Sequence, residues 1–400
     1  MKKLNKIGYS LRDIAILQAP ISYQFSRKNV NPYVNICDRE VLPIFVSPMS
    51  AVTDENNYKT WIDNKVTPVV PRTVMQRLSI KERLAIAHET FVSFSLQETY
   101  RIFNFINKVN AEIYFRRVKK PIYICIDIAH GTLAGLYDIC TDIKTIFGDN
   151  VIIMTGNTAS DAKVYTLYCK AGIDYMRCSI GTGSRCTSSI NVGVHKPMAT
   201  LLDDLNEQRE VIKEYNRIAR SNNEKELKIT KLIADGGIYW FDDINKALAL
   251  GADAVMIGRG FAECEEACGE YHWAWNVEAA NNNNWLSTEE KNNWIKLLDS
   301  GEMEPDPGPY GNPYKLKPYR NYYGMSTRTA QAETCNVYCN KTSEGIAKHV
   351  EIKYPVKKWL NNVESYLRSA MTYTNSATIE DFNKAECIIL GGSTYQTYAK

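Results

Sequence analysis

No run of about 18 apolar residues occurs anywhere in the chain, so no segment reads as a membrane-spanning helix. The first residues, Met1–Asp13, carry lysines but lack the apolar core of a secretory signal, and no signal peptide is expected. Eleven cysteines are scattered without C-x-x-C pairs or zinc-like spacing, which argues against a disulfide framework and against a cysteine-built metal centre. An excess of one sign of charge is also lacking. A formal net charge of +3 is too small to favour a nucleic acid or a membrane surface as partner. Low complexity is confined to Asn281–Asn284, and no repeat of motif length is present. These absences leave a soluble protein with reduced thiols, expected in the cytoplasm.

What the chain does contain is a core. With 44% hydrophobic and 23% charged residues, its 400 residues suit one decorated barrel of about 250 residues or two ordinary domains. Short apolar, β-branched runs alternate with longer amphipathic stretches, the pattern of βα units around a parallel sheet. Eight strands are expected, at 41–49, 67–72, 91–96, 121–128, 150–157, 175–181, 231–238 and 254–261. Helix-like segments fall at 80–88, 97–109, 134–147, 161–171, 198–219, 241–250 and 356–369. Strands apolar on both faces belong in a fully covered sheet, and eight of them predict a closed (β/α)8 TIM barrel. After the last strand the composition changes. Residues 271–318 hold the four asparagines, four of the seven tryptophans (Trp273, Trp275, Trp285 and Trp294) and a Pro/Gly-rich stretch at 305–313. They are read as a rim insertion within a single domain spanning 1–400, the tryptophans packing it onto the barrel.

Barrels of this kind do their chemistry at the carboxyl ends of the strands. There the sequence places Ser47-Pro48-Met49, Arg72, Asp127-Ile128-Ala129-His130-Gly131 and Gly156-Asn157. Next comes the loop Gly181-Thr182-Gly183-Ser184-Arg185-Cys186-Thr187-Ser188, then Asp235-Gly236-Gly237 and Gly258-Arg259. Glycine turns after the seventh and eighth strands let backbone N–H groups approach a phosphate, and Arg259 can add a charge-assisted bond to the same anion. Asp235 is placed to accept from two ribose hydroxyls. Asp127 ends an apolar strand, where an unpaired carboxylate would be costly. Cys186 sits between hydroxyls on a loop that admits a substrate, whereas Cys125, Cys178 and Cys387 lie in apolar runs.

Taken in this order, the motifs resemble those of the IMP dehydrogenase / GMP reductase family. The likeness also takes in Tyr322-Tyr323-Gly324-Met325-Ser326, and it covers roughly residues 8–270 and 320–390. It implies that Cys186, as a thiolate, attacks C2 of a purine nucleotide, IMP or GMP. It further implies that Ser184, Gly237, Gly258 and Tyr322 hold the 5′-phosphate, that Asp235 holds the ribose, and that Met325-Ser326 meet the base edge. Ser47, Met49, Arg72, Gly236, Arg259 and Gly324 complete the implied substrate site. A nicotinamide cofactor, NADPH or NAD, would lie beside Asp127, Ala129, His130, Gly156, Asn157 and Gly181. Carbonyls of Gly181, Gly183 and Cys186 resemble a monovalent-cation site for K+, and the family suggests a homotetramer.

Two reactions are open to such a site. Dehydrogenases hydrolyse their adduct with a flap bearing an adjacent Arg-Tyr pair, and residues 327–342 have Arg328 and Tyr338 ten positions apart. The interval 96–121 leaves no room for the paired CBS-type regulatory module common in dehydrogenases. Lys341-Thr342-Ser343-Glu344-Gly345 resembles the reductase segment whose Glu shuttles the ammonia proton with a hydroxyl two positions after the cysteine, here Ser188. The expected activity is therefore GMP reductase, with IMP dehydrogenase the alternative. An FMN-dependent barrel oxidoreductase would leave the cysteine loop unexplained. A non-catalytic nucleotide-binding protein would leave Cys186, Ser188, Asp235 and Glu344 together without a purpose.

Overall fold

The computed structural model describes residues 7–108, 111–180, 188–274, 317–324 and 345–391, with the single residues 289, 296, 327, 328 and 330. Eight parallel strands close into a (β/α)8 barrel. They are β1 (Ile44–Val46), β2 (Thr67–Val70), β3 (Phe91–Phe94), β4 (Ile122–Asp127), β5 (Val151–Thr158), β6 (Tyr175–Cys178), β7 (Lys231–Asp235) and β8 (Ala254–Ile257). Each strand pairs with the next in sequence, and β8 returns to β1 through Val255–Ile257 against Ile44–Val46. Every expected strand is present. Most are shorter than the apolar runs that announced them, because the run continues past the ladder into the loop at the strand's carboxyl end.

The expected first strand departs furthest from its sequence bounds. Val41 belongs to a separate antiparallel hairpin, Val34–Ile36 with Arg39–Val41, and β1 begins only at Ile44. The hairpin turns on Cys37 and Asp38, with φ of 52° and 56°, the mirror-image turn that matches strand twist. Neither residue is glycine or asparagine, so the usual signal for that turn was missing.

Side chains of alternate residues fill the barrel in layers. Tyr123, Tyr175 and Phe91 pack edge to face or tilted at ring separations of 5.4–5.6 Å, with Phe45 against Phe91 and Tyr175. Cys125, Met154, Ile233 and Met256 join the same buried cluster, and Ile36, Cys37 and Val41 of the hairpin pack with it at the amino-terminal end. A second and larger core lies between the strands and the outer helices, among them Ala134–Phe147, Met198–Ser221, Phe241–Ala249 and Val356–Tyr373. A helix at Ala111–Val118 was not expected from the sequence. The chain's two arms meet where Ile14–Ile16 pairs antiparallel with Cys387–Ile389.

Beyond β8, Tyr271–Ala274 pairs with Lys317–Tyr322, which in turn pairs with Lys348–Glu351. The expected insertion thus begins and ends on one ladder, running from Tyr271 opposite Arg320 to Ala274 opposite Lys317. Trp273 stands on it, edge-on to Tyr271. Trp275, Trp285 and Trp294 lie outside the described residues. Arg320, only 2% exposed, clamps this sheet to the barrel. Its guanidinium donates to the carbonyl oxygens of Gly269, Ala262, Cys264 and Glu265. Arg320→Met should lower unfolding free energy by about 3 kcal/mol, since each buried acceptor left without a donor costs about 1–3 kcal/mol. Chemical denaturation measures it, and a loss below about 1 kcal/mol would show the clamp to be dispensable.

Among the described residues no helix is long and apolar enough to cross a membrane. Nor does any group of three or more His, Cys, Asp or Glu among them stand ready to hold a metal ion.

Candidate active site

The uppermost layer of the barrel interior is charged. Period-two alternation that turns Tyr123 and Cys125 inward on β4 also turns Asp127 inward, and on β6 and β7 it does the same for Arg177 above Tyr175 and Asp235 above Ile233. Arg177, 6% exposed, joins the two carboxylates. One terminal nitrogen donates to Asp127 Oδ1 at 2.6 Å, while Nε and the other terminal nitrogen reach Asp235 Oδ2 at 3.0 and 2.8 Å. Burial opposes the charge on Arg177, but Asp235 and Asp127 more than offset it and hold its pKa above the ordinary guanidinium value. Asn157 Nδ2 donates to the same Asp235 oxygen at 2.6 Å. Asn157 gets there because the β5–β6 register shifts between Thr155 and Thr158, an irregularity that re-aims the side chain at the barrel mouth.

Arg177 was not among the residues expected from the sequence. Its signal was a lone arginine inside the buried strand Tyr175–Cys178, where an unpaired charge could not be sustained.

Beside this layer the ends of β1 and β8 meet the strand Lys317–Tyr322. A Cβ on Gly258 would lie 2.6 Å from the Tyr322 hydroxyl, 2.8 Å from Met49 Sδ and 3.5 Å from Ser47 Oγ. Four of the expected substrate residues therefore converge, and Gly324 comes to the edge of the same group, near Met49 Cε. If this is the nucleotide site that the sequence suggests, Gly258→Ala should push Tyr322 and Met49 aside and weaken nucleotide binding at least roughly tenfold, with the melting temperature nearly unchanged. Equilibrium titration checks it, and unaltered affinity would remove Gly258 from the site. After β7, Gly236 and Gly237 both have positive φ, 96° and 76°, a turn that side chains disfavour and that leaves Gly237 exposed at the rim.

Two arginines differ in their commitments. Arg259, expected to face an anion, spends its Nε on Glu263 Oε1 at 3.0 Å and stacks over the Tyr239 ring at 4.3 Å. Glu263 is buried and also receives Lys353 and the hydroxyls of Tyr239 and Tyr354, so Arg259 is tied to a structural network. Arg72, at the end of β2, keeps a buried Nε without a hydrogen-bond partner among the described residues.

On the opposite side of Asp235, the loop after β4 is zipped onto the end of β5. Ile128 N donates to the Gly156 carbonyl, Asn157 N to the Ile128 carbonyl, and Gly131 N to the Asn157 carbonyl, at 2.7–3.1 Å. Ala129 and His130 are left exposed on the lip. A half-buried carboxylate, an amide and an exposed imidazole beside a recessed aspartate suit the polar ring and ribose of a nicotinamide cofactor. Gly345 is described, in an isolated bridge. Gly181, Gly183, Ser184, Cys186, Met325, Ser326, Lys341 and Glu344 lie outside the described residues, and Ser188 is described only as the start of the short helix Ser188–Asn191.

The other cysteines narrow the choice of nucleophile. All eight described thiols have their pKa raised by burial: Cys125 and Cys268 to about 12, Cys387 to about 11, and Cys37, Cys140, Cys169, Cys178 and Cys264 likewise upward. None would supply a thiolate near neutral pH.

Residues 119–281 match the family model described as the IMP dehydrogenase / GMP reductase domain. That stretch is similar to the family's domain. The matched span runs from the start of β4 past β8 and includes Asp127, Asn157, Arg177, Cys186, Asp235 and Gly258. The chain is 38% identical over 147 residues to inosine-5′-monophosphate dehydrogenase of Streptococcus pyogenes, covering 37% of this chain and 26% of that protein. It is 37% identical over 147 residues to the proteins of the same name from Chlorobaculum parvum and Chlorobaculum tepidum, with the same coverage. The match thus spans about a quarter of the length of these relatives. The charged layer and the Gly258 cradle face one mouth, formed by the carboxyl ends of the barrel strands, with Ser47, Met49 and Tyr322 of the cradle outside the matched span.

Proposed function

We propose that the chain is a purine-nucleotide oxidoreductase that oxidises inosine monophosphate at C2 with NAD, through a covalent adduct on Cys186. The observation that carries this is the convergence at one barrel mouth of the Asp127–Arg177–Asp235–Asn157 layer with the cradle of Ser47, Met49, Gly258 and Tyr322. The relatives' printed names favour IMP oxidation over the GMP reduction that residues 341–345 suggested.

In the proposed complex the phosphate lies against Gly237, Gly258 and Tyr322, with Ser184 from the cysteine loop. Asp235, its carboxylate already oriented by Arg177 and Asn157, accepts from the ribose hydroxyls. Met325 and Ser326 meet the base edge. NAD, when bound, takes up the hydride that leaves C2. The Cys186 thiolate forms the S–C2 bond, the C2–H electron pair departs with the hydride, and the purine remains attached to sulfur. Water then adds at C2, one of its protons ending on a ring nitrogen and the other passing to solvent, the S–C2 bond breaks, and the thiolate is restored with a 2-oxopurine nucleotide as product. Asp127 and Asn157 line the cofactor side with Ala129, His130, Gly156 and Gly181. The carbonyls of Gly181, Gly183 and Cys186 as a K+ site, and a homotetrameric assembly, belong to the same proposal.

GMP reductase is the second candidate activity, carried by Glu344 and by Ser188 two positions after the cysteine. Absorbance of the reduced nicotinamide separates the two. It should appear with IMP plus NAD. Its disappearance with GMP plus NADPH, and no change with IMP plus NAD, would select the reductase and overturn the proposal. Nucleotide binding with no turnover in either mixture would leave only a binding protein.

A further inference from the structure

The barrel's opposite end holds a cavity of about 530 Å3 where β4 to β7 begin, far along the barrel from the mouth just described. One wall is the hairpin that plugs the barrel, through Asn35, Cys37 and Asp38. The amino-terminal face of a TIM barrel ordinarily serves stability alone, so a roomy charged opening there calls for an occupant.

Its charges do not balance. Asp174 is fully engaged, accepting from Ile153 N at 2.8 Å, Lys144 Nζ at 2.6 Å and Lys228 Nζ at 2.7 Å. Asp149 shares Lys228 at 3.3 Å. Three further lysines line the cavity, Lys119, Lys120 and Lys231, and none makes an ion pair with a described residue. Lys231 Nζ instead lies 5.5 Å from the centre of the Tyr175 ring. The remaining acid, Asp38, accepts from the Tyr123 hydroxyl at 3.1 Å. Arg39 stands next to it in the hairpin, and its charge acts on both Cys37 and Tyr123. Positive charge thus lines a space of small-molecule size, with Tyr123, Ile152 and Ile229 as apolar backing and Asn35 and Asn150 as amides.

We propose that this basal cavity binds a small phosphorylated ligand carrying two or more negative charges, the chemistry shared by inorganic pyrophosphate and the polyphosphate tail of a nucleoside triphosphate. Lys119, Lys120 and Lys231 in the lining suit multiple phosphate oxygens, and the cavity is of a size for a small molecule.

The test uses the full chain and does not depend on what the barrel mouth catalyses. Pyrophosphate and ATP are each titrated calorimetrically into the wild type and into the triple variant Lys119→Gln, Lys120→Gln, Lys231→Gln, with melting curves confirming that both are folded. Hydrogen exchange then locates the bound anion. Binding should weaken at least roughly tenfold in the triple variant, with protection at residues 150–152 and 228–231. Equal affinity for both probes assigns the phosphates alone, and tighter ATP binding adds the nucleoside. Absence of binding by either probe, unchanged affinity in the triple variant, or protection confined to residues 235–237 would overturn the proposal.

Discussion

Cys186→Ala is expected to reduce turnover of the nucleotide by roughly 10⁴-fold or more while leaving its binding within a few-fold. The expectation follows from what the thiol does and does not do. In the proposed mechanism it bonds to C2 and so creates the carbon from which the hydride leaves, a step that no neighbouring group can replace. In that proposal affinity comes from elsewhere: the phosphate cradle at Gly237, Gly258 and Tyr322 and the carboxylate of Asp235. The eight described cysteines are no substitutes, because burial keeps each of them a thiol. Steady-state rates together with a nucleotide titration of the same preparation decide the matter. Residual turnover within tenfold of wild type would mean the chemistry does not pass through this sulfur.

Removing the guanidinium of Arg177 should have the largest effect on stability. Arg177→Met leaves Asp127 and Asp235 facing a buried space without a counter-charge, and breaking a buried pair from one side costs about 3–5 kcal/mol. Lysine should not rescue it, since a point charge cannot reproduce donation from three nitrogens to two carboxylates on different strands. Burial works against the Arg177 charge, but the two carboxylates hold its pKa above the ordinary value, so the charge persists at every accessible pH. Urea unfolding of wild type and variant at neutral pH measures the loss, and a loss below about 1 kcal/mol would show that the guanidinium is not what holds this layer together.

The barrel was legible because its strands are buried on both faces and so read as unbroken apolar runs. Thr67–Val70 and Ala254–Ile257, for example, have no exposed residue. Helix Ala134–Phe147 emerged with its sequence bounds intact, since a Gly-Thr-Leu-Ala lead-in and a positive-φ Gly148 bracket a clean apolar stripe. What stayed hidden depended on distance in space. Arg177 finds its partners 50 and 58 residues away, which no local pattern records. The hairpin at 34–41 turns on Cys37-Asp38 without a glycine, and so merged with the first strand. Arg259 looked like a phosphate ligand by its place after β8. Only the fold brings Glu263 one turn later, and Tyr239 from the loop after β7, against its guanidinium.

The residues expected at one substrate site come together at Gly258 because strand ends converge in any closed barrel. Ser47, Met49 and Gly258 had to meet once β8 paired with β1, and Tyr322 joined them from a strand about sixty residues further along the chain.

The central claim is a bond between the Cys186 sulfur and C2 of the purine, and acid quenching in the middle of turnover tests it most directly. Protein mixed with IMP and NAD, quenched, digested and weighed by mass spectrometry should carry the mass of one nucleotide on the peptide containing Cys186. A turnover-competent sample whose nucleotide is found on another peptide, or on none at any quench time, would contradict the account.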